Sequence, residues 1–181
     1  MINFISTNNF LNADCYVFIF CKKYKEEIST IEKSLGITFP KQLFQNFKGE
    51  CCDLKTVYFD NFSIIIGGIG NSNKCPLNNL NITISKIGKL IFQEKYNTVM
   101  ITLFSENKVY ISNQIEHLIL SMYKFNKYNK ETNTNNKKIY LYSEKKYNLL
   151  VNNSILIGTT TNMIRNLVNE PPNISNSIYI E

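Results

Sequence analysis

Three continuous apolar runs constrain this chain more than any other feature. Residues 15–20 (CYVFIF), 62–66 (FSIII) and 98–104 (TVMITLF) carry almost no polar alternation. A strand that is apolar on both faces must be covered on both faces, which is the condition of a parallel sheet between two helical layers. The intervening segments supply those layers. Ile28, Ile31 and Leu35 recur at helical spacing before a stop at Gly36, and a short helix after Pro40 places Leu43, Phe44 and Phe47 on one face. Leu80, Ile84, Ile87 and Ile91 define a helix over 76–92, and Ile115, Leu118, Ile119 and Met122 define another over 113–123. Lys55 to Phe59 reads as a strand joined to the second apolar run by the turn dipeptide Asp60-Asn61, and Lys138 to Ser143 alternates as a further strand. Residues 149–156 fit either helix or strand, and 158–168 predicts a helix ending at Asn169, just before Pro171-Pro172. Strands alternating with helices predict a three-layer α/β/α sandwich around a mixed, mainly parallel sheet.

Length is consistent with one such domain, since 181 residues leave little over. The expected division is a domain over 1–160 and a linker over 161–181. Arg165 to Glu181 has a helix stop, a Pro-Pro break and a fresh start, as a lead-in to a further domain would have. No apolar run approaches the roughly 18–20 residues of a membrane span. The first residues show no basic n-region followed by an apolar core, so the expected location is the cytoplasm.

The net charge of +6 comes from 19 Lys and one Arg against 14 acidic residues. Twenty-seven Asn accompany them, as A/T-rich codons would favour. A surface shaped to grip phosphate is expected to use more Arg, whose fork binds phosphate bidentately. The five cysteines (Cys15, Cys21, Cys51, Cys52, Cys75) are odd in number and contain no Cys-x-x-Cys spacing, and His117 is the lone histidine. Reduced, mostly buried thiols are expected rather than a disulfide framework or a structural zinc site.

Three constellations invite functional readings. Gly67, Gly68 and Gly70 follow a strand and precede a helix, where backbone N–H groups can cradle a phosphate. The turn lacks the Gly-Lys-Ser/Thr of a P-loop and the Gly-x-Gly-x-x-Gly spacing, so the favoured reading is a tight strand-to-helix turn. Between 121 and 150, lysines including Lys124, Lys127, Lys130, Lys137 and Lys138 are interleaved with Tyr123, Phe125, Tyr128, Tyr140, Tyr142 and Tyr147. Such a segment could follow a nucleic-acid backbone and stack bases. The favoured reading is a solvated loop anchored by its aromatics. His117 has no nucleophile at a motif spacing and is expected on a helix surface.

The segment Met163 to Ile174, with Arg165, Leu167-Val168-Asn169, Pro171-Pro172 and Asn173, resembles the linker of M17 leucyl aminopeptidases. Three weaker matches precede it in the family's order. These are Asn46 to Glu50 (NFKGE), Ile64 to Gly70 (IIIGGIG), and Tyr123 to Tyr128 as Tyr-x-Phe-x-x-Tyr. The resemblance spans about Asp14 to Asn173. It implies a macro-like N-terminal domain with an assembly or regulatory role in an enzyme that removes N-terminal amino acids from peptides. The family is hexameric, and its two divalent metals, zinc or manganese, sit in the catalytic domain. This chain has only Asp14, Asp53 and Asp60, none after the linker, whereas two-metal hydrolysis needs bridging carboxylates. The expectation is therefore no catalytic residue, no metal and no cofactor here. The expected partners are a catalytic domain or another copy, and in isolation a monomer or weak dimer. The alternative is a stand-alone macro-like module for nucleic acid or an ADP-ribose-type ligand, using the basic segment or the glycine turn.

Overall fold

A computed structural model describes residues 2–21, 25–70, 76–103, 107–128 and 136–171. Their strands are β1 (Ile2–Thr7), β2 (Cys15–Phe20), β3 (Leu54–Tyr58), β4 (Ser63–Gly68), β5 (Thr98–Thr102) and β6 (Lys137–Tyr142). The helices are α1 (Lys25–Leu35), α2 (Lys41–Asn46), α3 (Leu77–Gln93), α4 (Lys108–Ser121) and α5 (Asn148–Val168). One sheet runs β1-β6-β5-β2-β4-β3, parallel throughout except for β3, which pairs antiparallel with β4.

The apolar runs become the inner strands, as their two-sided hydrophobicity requires. Every residue of β2 and β4 is buried. Along β2 the period-2 alternation sorts side chains between two cores. Cys15, Val17 and Ile19 join Ile84, Ile87, Ile115, Leu118 and Val151 beneath α3, α4 and α5. Tyr16, Phe18 and Phe20 face Ile28, Ile31, Phe39 and Phe47 on the side of α1 and α2. The expected three-layer sandwich is the architecture found.

Local differences have local causes. β1, which the sequence pattern does not mark, is a half-buried edge strand in which Ile2 and Phe4 pack on the core while Ile5 is exposed. α4 starts at Lys108, five residues before the expected start, because Asn107 caps it by accepting the Val109 N–H at 2.9 Å. The ambiguous 149–156 stretch is helical, and α5 runs unbroken through the expected 160/161 division. Thr159 and Thr161 reconcile with the helix by donating to carbonyls one turn back, Ile155 and Ile157, at 2.8 Å each. The Pro172 break, Asn173, Ile174 and the later tail lie outside the described residues, as do Lys130 and Cys75.

Candidate functional site

The glycine turn is closed by the chain itself. The Gly68 N–H donates to the Asp53 carbonyl at 2.8 Å, the Ile69 N–H to Phe20 at 3.0 Å, and the Gly70 N–H to Gly49 at 2.8 Å. Those amides are committed to backbone acceptors. The Gly68 carbonyl accepts from the Cys52 N–H at 3.1 Å and from the Thr83 hydroxyl at 2.9 Å. A Cβ on Gly68 would lie 2.4 Å from the Glu50 carbonyl oxygen and 2.7 Å from the Gly49 carbonyl carbon, and Gly70 has φ +90°. The glycines let the 49–53 segment press onto the end of β4. The amides of Gly68 and Gly70 are thus taken by backbone acceptors rather than offered to an anion, and Gly67 lies within the β4 ladder opposite Ile19 and Leu54.

Of the lysines in this segment, Lys137 is set apart from those described beside it. Lys124, Lys127 and Lys138 are exposed, and Lys130 is outside the described residues. Lys137 is only 3% exposed, in phase with Ile139 and Leu141, which face the core under α3 to α5. Its ammonium donates to the Ile91 carbonyl at 2.6 Å and to the Glu94 carbonyl, at the negative end of α3. Desolvation pushes its pKa below the usual lysine value. Lys138 leaves the sheet on the opposite face. Placing Lys137 and Lys138 together as nucleic-acid contacts is therefore corrected: sheet alternation sends adjacent side chains to opposite faces. His117 lies on α4, as expected, but half-buried rather than fully on the helix surface.

The aromatic residues at the start of this segment anchor it, as the favoured reading expects. Tyr123, Phe125 and Tyr128 fold against the end of α5. The Tyr123 hydroxyl donates to Asn166 Oδ1 at 3.0 Å and accepts from Asn169 Nδ2 at 3.0 Å. The Arg165 guanidinium sits 5.5 Å from the Tyr123 ring centroid and donates to the Leu120 carbonyl at 3.2 Å. The Glu170 side chain is 2% exposed; it meets Lys127 Nζ at 2.5 Å and accepts from the Tyr128 hydroxyl. Hydrogen bonds from Lys127 and Tyr128 hold its carboxyl below the usual carboxylate range. Phe125 and Tyr128 pack edge to face with centroids 5.8 Å apart. Glu170 is the central residue that the sequence reading missed. Its partners lie more than 40 positions away, and no local pattern marks it.

Beside this latch, a cleft of about 1090 Å³ opens between the ends of α3 and α4 and the second half of α5. Its polar lining is mainly carboxamide and ammonium, with Gln93, Asn97, Lys124, Asn162 and Asn166 among the contributors, and no Asp, Glu, His or Cys. Such a surface, to which Lys95, Lys137 and Tyr123 also contribute, can hydrogen-bond a polar group. Among the described residues no group of three or more His, Cys, Asp or Glu is placed to hold a metal, and no helix is long and apolar enough to cross a membrane.

No family model and no curated protein sequence matches the chain. Solved structures do. A tomato leucine aminopeptidase mutant matches 99% of this chain with a TM-score of 0.75 at 13% identity, using 40% of its own length. The bottromycin maturation enzyme BotP matches 93% with a TM-score of 0.71 at 11% identity, using 35% of its length. A structure of BotP in complex with Mn gives 0.69 at 11% identity and 34% of its length. This chain spans two-fifths or less of the length of these three structures. Its fold is one found within leucine aminopeptidase and BotP.

Proposed function

We propose that this chain is a non-catalytic assembly or regulatory domain of an M17 leucyl aminopeptidase-like protein. One observation carries the reading: essentially the whole chain superposes on a leucine aminopeptidase while accounting for only 40% of that enzyme. A second supports it. The linker residues Arg165 to Asn169 and one of the weaker family matches, Tyr123 to Tyr128, are far apart in sequence yet bonded to each other. On this reading the domain is the macro-like N-terminal one. Peptide hydrolysis and the two divalent metals belong to a catalytic portion outside these 181 residues. The domain would work in the cytoplasm, with that portion or with further copies of itself in a hexamer.

The test is direct. Purified chain assayed with leucine para-nitroanilide plus Mn²⁺ or Zn²⁺ should show no turnover above background, and metal-dependent turnover would refute the reading. Light scattering at several concentrations should give a monomer or weak dimer; a stable hexamer of the isolated chain would contradict dependence on a catalytic portion. The binding-module alternative has less support, because the Gly68 and Gly70 amides are bonded to the chain's own backbone and Lys137 is buried. A gel shift at about 50 mM salt, where phosphate contacts are strong, and calorimetry with ADP-ribose are both expected to be negative.

A further inference from the structure

Cys51 and Cys52 sit on the 49–53 segment that closes over β4, both half-buried, with their sulfurs 3.6 Å apart. Cys52 has φ +65°, a left-handed conformation rare outside glycine. The turn is held by its own amides: the Cys52 N–H donates to the Gly68 carbonyl at 3.1 Å and to Thr83 Oγ1 at 3.2 Å. Both sulfurs face the first turns of α3, Cys51 Sγ against the Asn79 carbonyl and Cys52 Sγ against the Thr83 hydroxyl, each at 4.0 Å. The positive end of a helix favours sulfur that carries negative charge. Lys86, farther along α3, acts on Cys51 in the same direction, although burial and Cys52 together hold that thiol above its ordinary pKa.

The spacing discriminates between partners for the pair. A direct disulfide between neighbours must bridge Cα atoms about 3.8 Å apart. Ordinary bridges span roughly 4.4–6.8 Å, so this one would be strained and readily reduced. A centre about 2.3 Å from each sulfur, the usual metal–thiolate length, subtends roughly 100° across the existing gap and needs no backbone movement. Zinc would require two further ligands, and the described residues hold no cluster of three or more His, Cys, Asp or Glu.

We propose that Cys51 and Cys52 form a two-sulfur site for a trivalent thiophilic centre, an arsenous compound being the chemical class that fits. The step with phenylarsine oxide balances without a redox change. Two As–S bonds form, the As–O bond breaks, and the two thiol protons leave with the oxygen as water.

The experiment uses the full chain and phenylarsine oxide, read by intact mass under non-denaturing conditions. One adduct per chain is expected, with a mass gain of one reagent less one water, reversed by dimercaptopropanol. It should be lost in Cys51→Ser and in Cys52→Ser and kept in Cys75→Ser and Cys15→Ala. In wild-type chain, where no variant must fold, the arsenical should protect Cys51 and Cys52 from iodoacetamide in mapped peptides. An adduct that survives in Cys52→Ser, disappears in Cys75→Ser, or forms only in urea would overturn the proposal. So would stoichiometric zinc retained through dialysis, since it would mean more ligands than two sulfurs.

Discussion

Replacing Gly68 with alanine separates a packing role from a binding role at the glycine turn. The added Cβ would lie 2.4, 2.7 and 2.9 Å from backbone atoms of Glu50 and Gly49, where real Cβ contacts do not fall below 3.0 Å. Backbone cannot rotate aside as a side-chain tip can, so β4 and the 49–50 segment must part by at least 0.6 Å at the shortest contact. Overpacking of this kind costs about 1–3 kcal/mol. Parting the strands also strains the Gly70 N–H to Gly49 bond of 2.8 Å, worth roughly 0.5–1.5 kcal/mol. The expected destabilisation is about 2–4 kcal/mol, which for a chain of this size lowers Tm by roughly 5–15 °C. Urea unfolding followed by circular dichroism should show a lower midpoint at an unchanged slope. Gly36→Ala is the control. Its φ of +65° carries a strain cost of about 1–2 kcal/mol, but nothing lies within 4 Å of the new methyl. A Gly68→Ala variant within about 0.5 kcal/mol of wild type, the range of an ordinary surface change, would refute the packing argument.

Burial raises the Cys15 thiol from 9.0 to about 11. The folded state therefore keeps a proton that the unfolded chain releases, so this stability is complete below pH 9 and is lost as pH rises towards 11. That window is worth roughly 2–3 kcal/mol at about 1.4 kcal/mol per pKa unit, and unfolding curves of Cys15→Ala should fall less steeply with alkali by that amount. Glu170 is shifted the other way, so its contribution is present above pH 4.5 and is lost as acid protonates it. Glu170→Gln should release the latch at neutral pH, read as faster hydrogen exchange at 123–128 and earlier cleavage after Arg165; unchanged exchange would count against the latch. Lys137→Met leaves the Ile91 and Glu94 carbonyls without their ammonium donor. It should cost about 1–3 kcal/mol, and a neutral result in urea unfolding would contradict that capping role. Ile84→Ala, at a position with no exposure, should cost about 2–5 kcal/mol in the same assay.

The layered fold was legible because it rests on local regularities. Two-sided apolar runs at 15–20 and 98–104 predict inner strands, found as β2 and β5, and the helical spacing of Ile84, Ile87 and Ile91 predicts the buried face of α3. The inward turn of Lys137 was also within reach, since it keeps the alternation of Ile139 and Leu141. What no local pattern contains is which distant segment arrives at each surface. The closure of the glycine turn depends on Gly49 and Glu50 meeting Gly68 and Gly70, and the latch depends on Lys127 and Tyr128 meeting Glu170. Glycine, lysine and tyrosine have the same intrinsic chemistry free or engaged. Only the packing of the sheet and helices brings up the acceptors that take their hydrogen bonds: the backbone of residues 49–53 at the glycine turn, and Glu170 beside Lys127 and Tyr128.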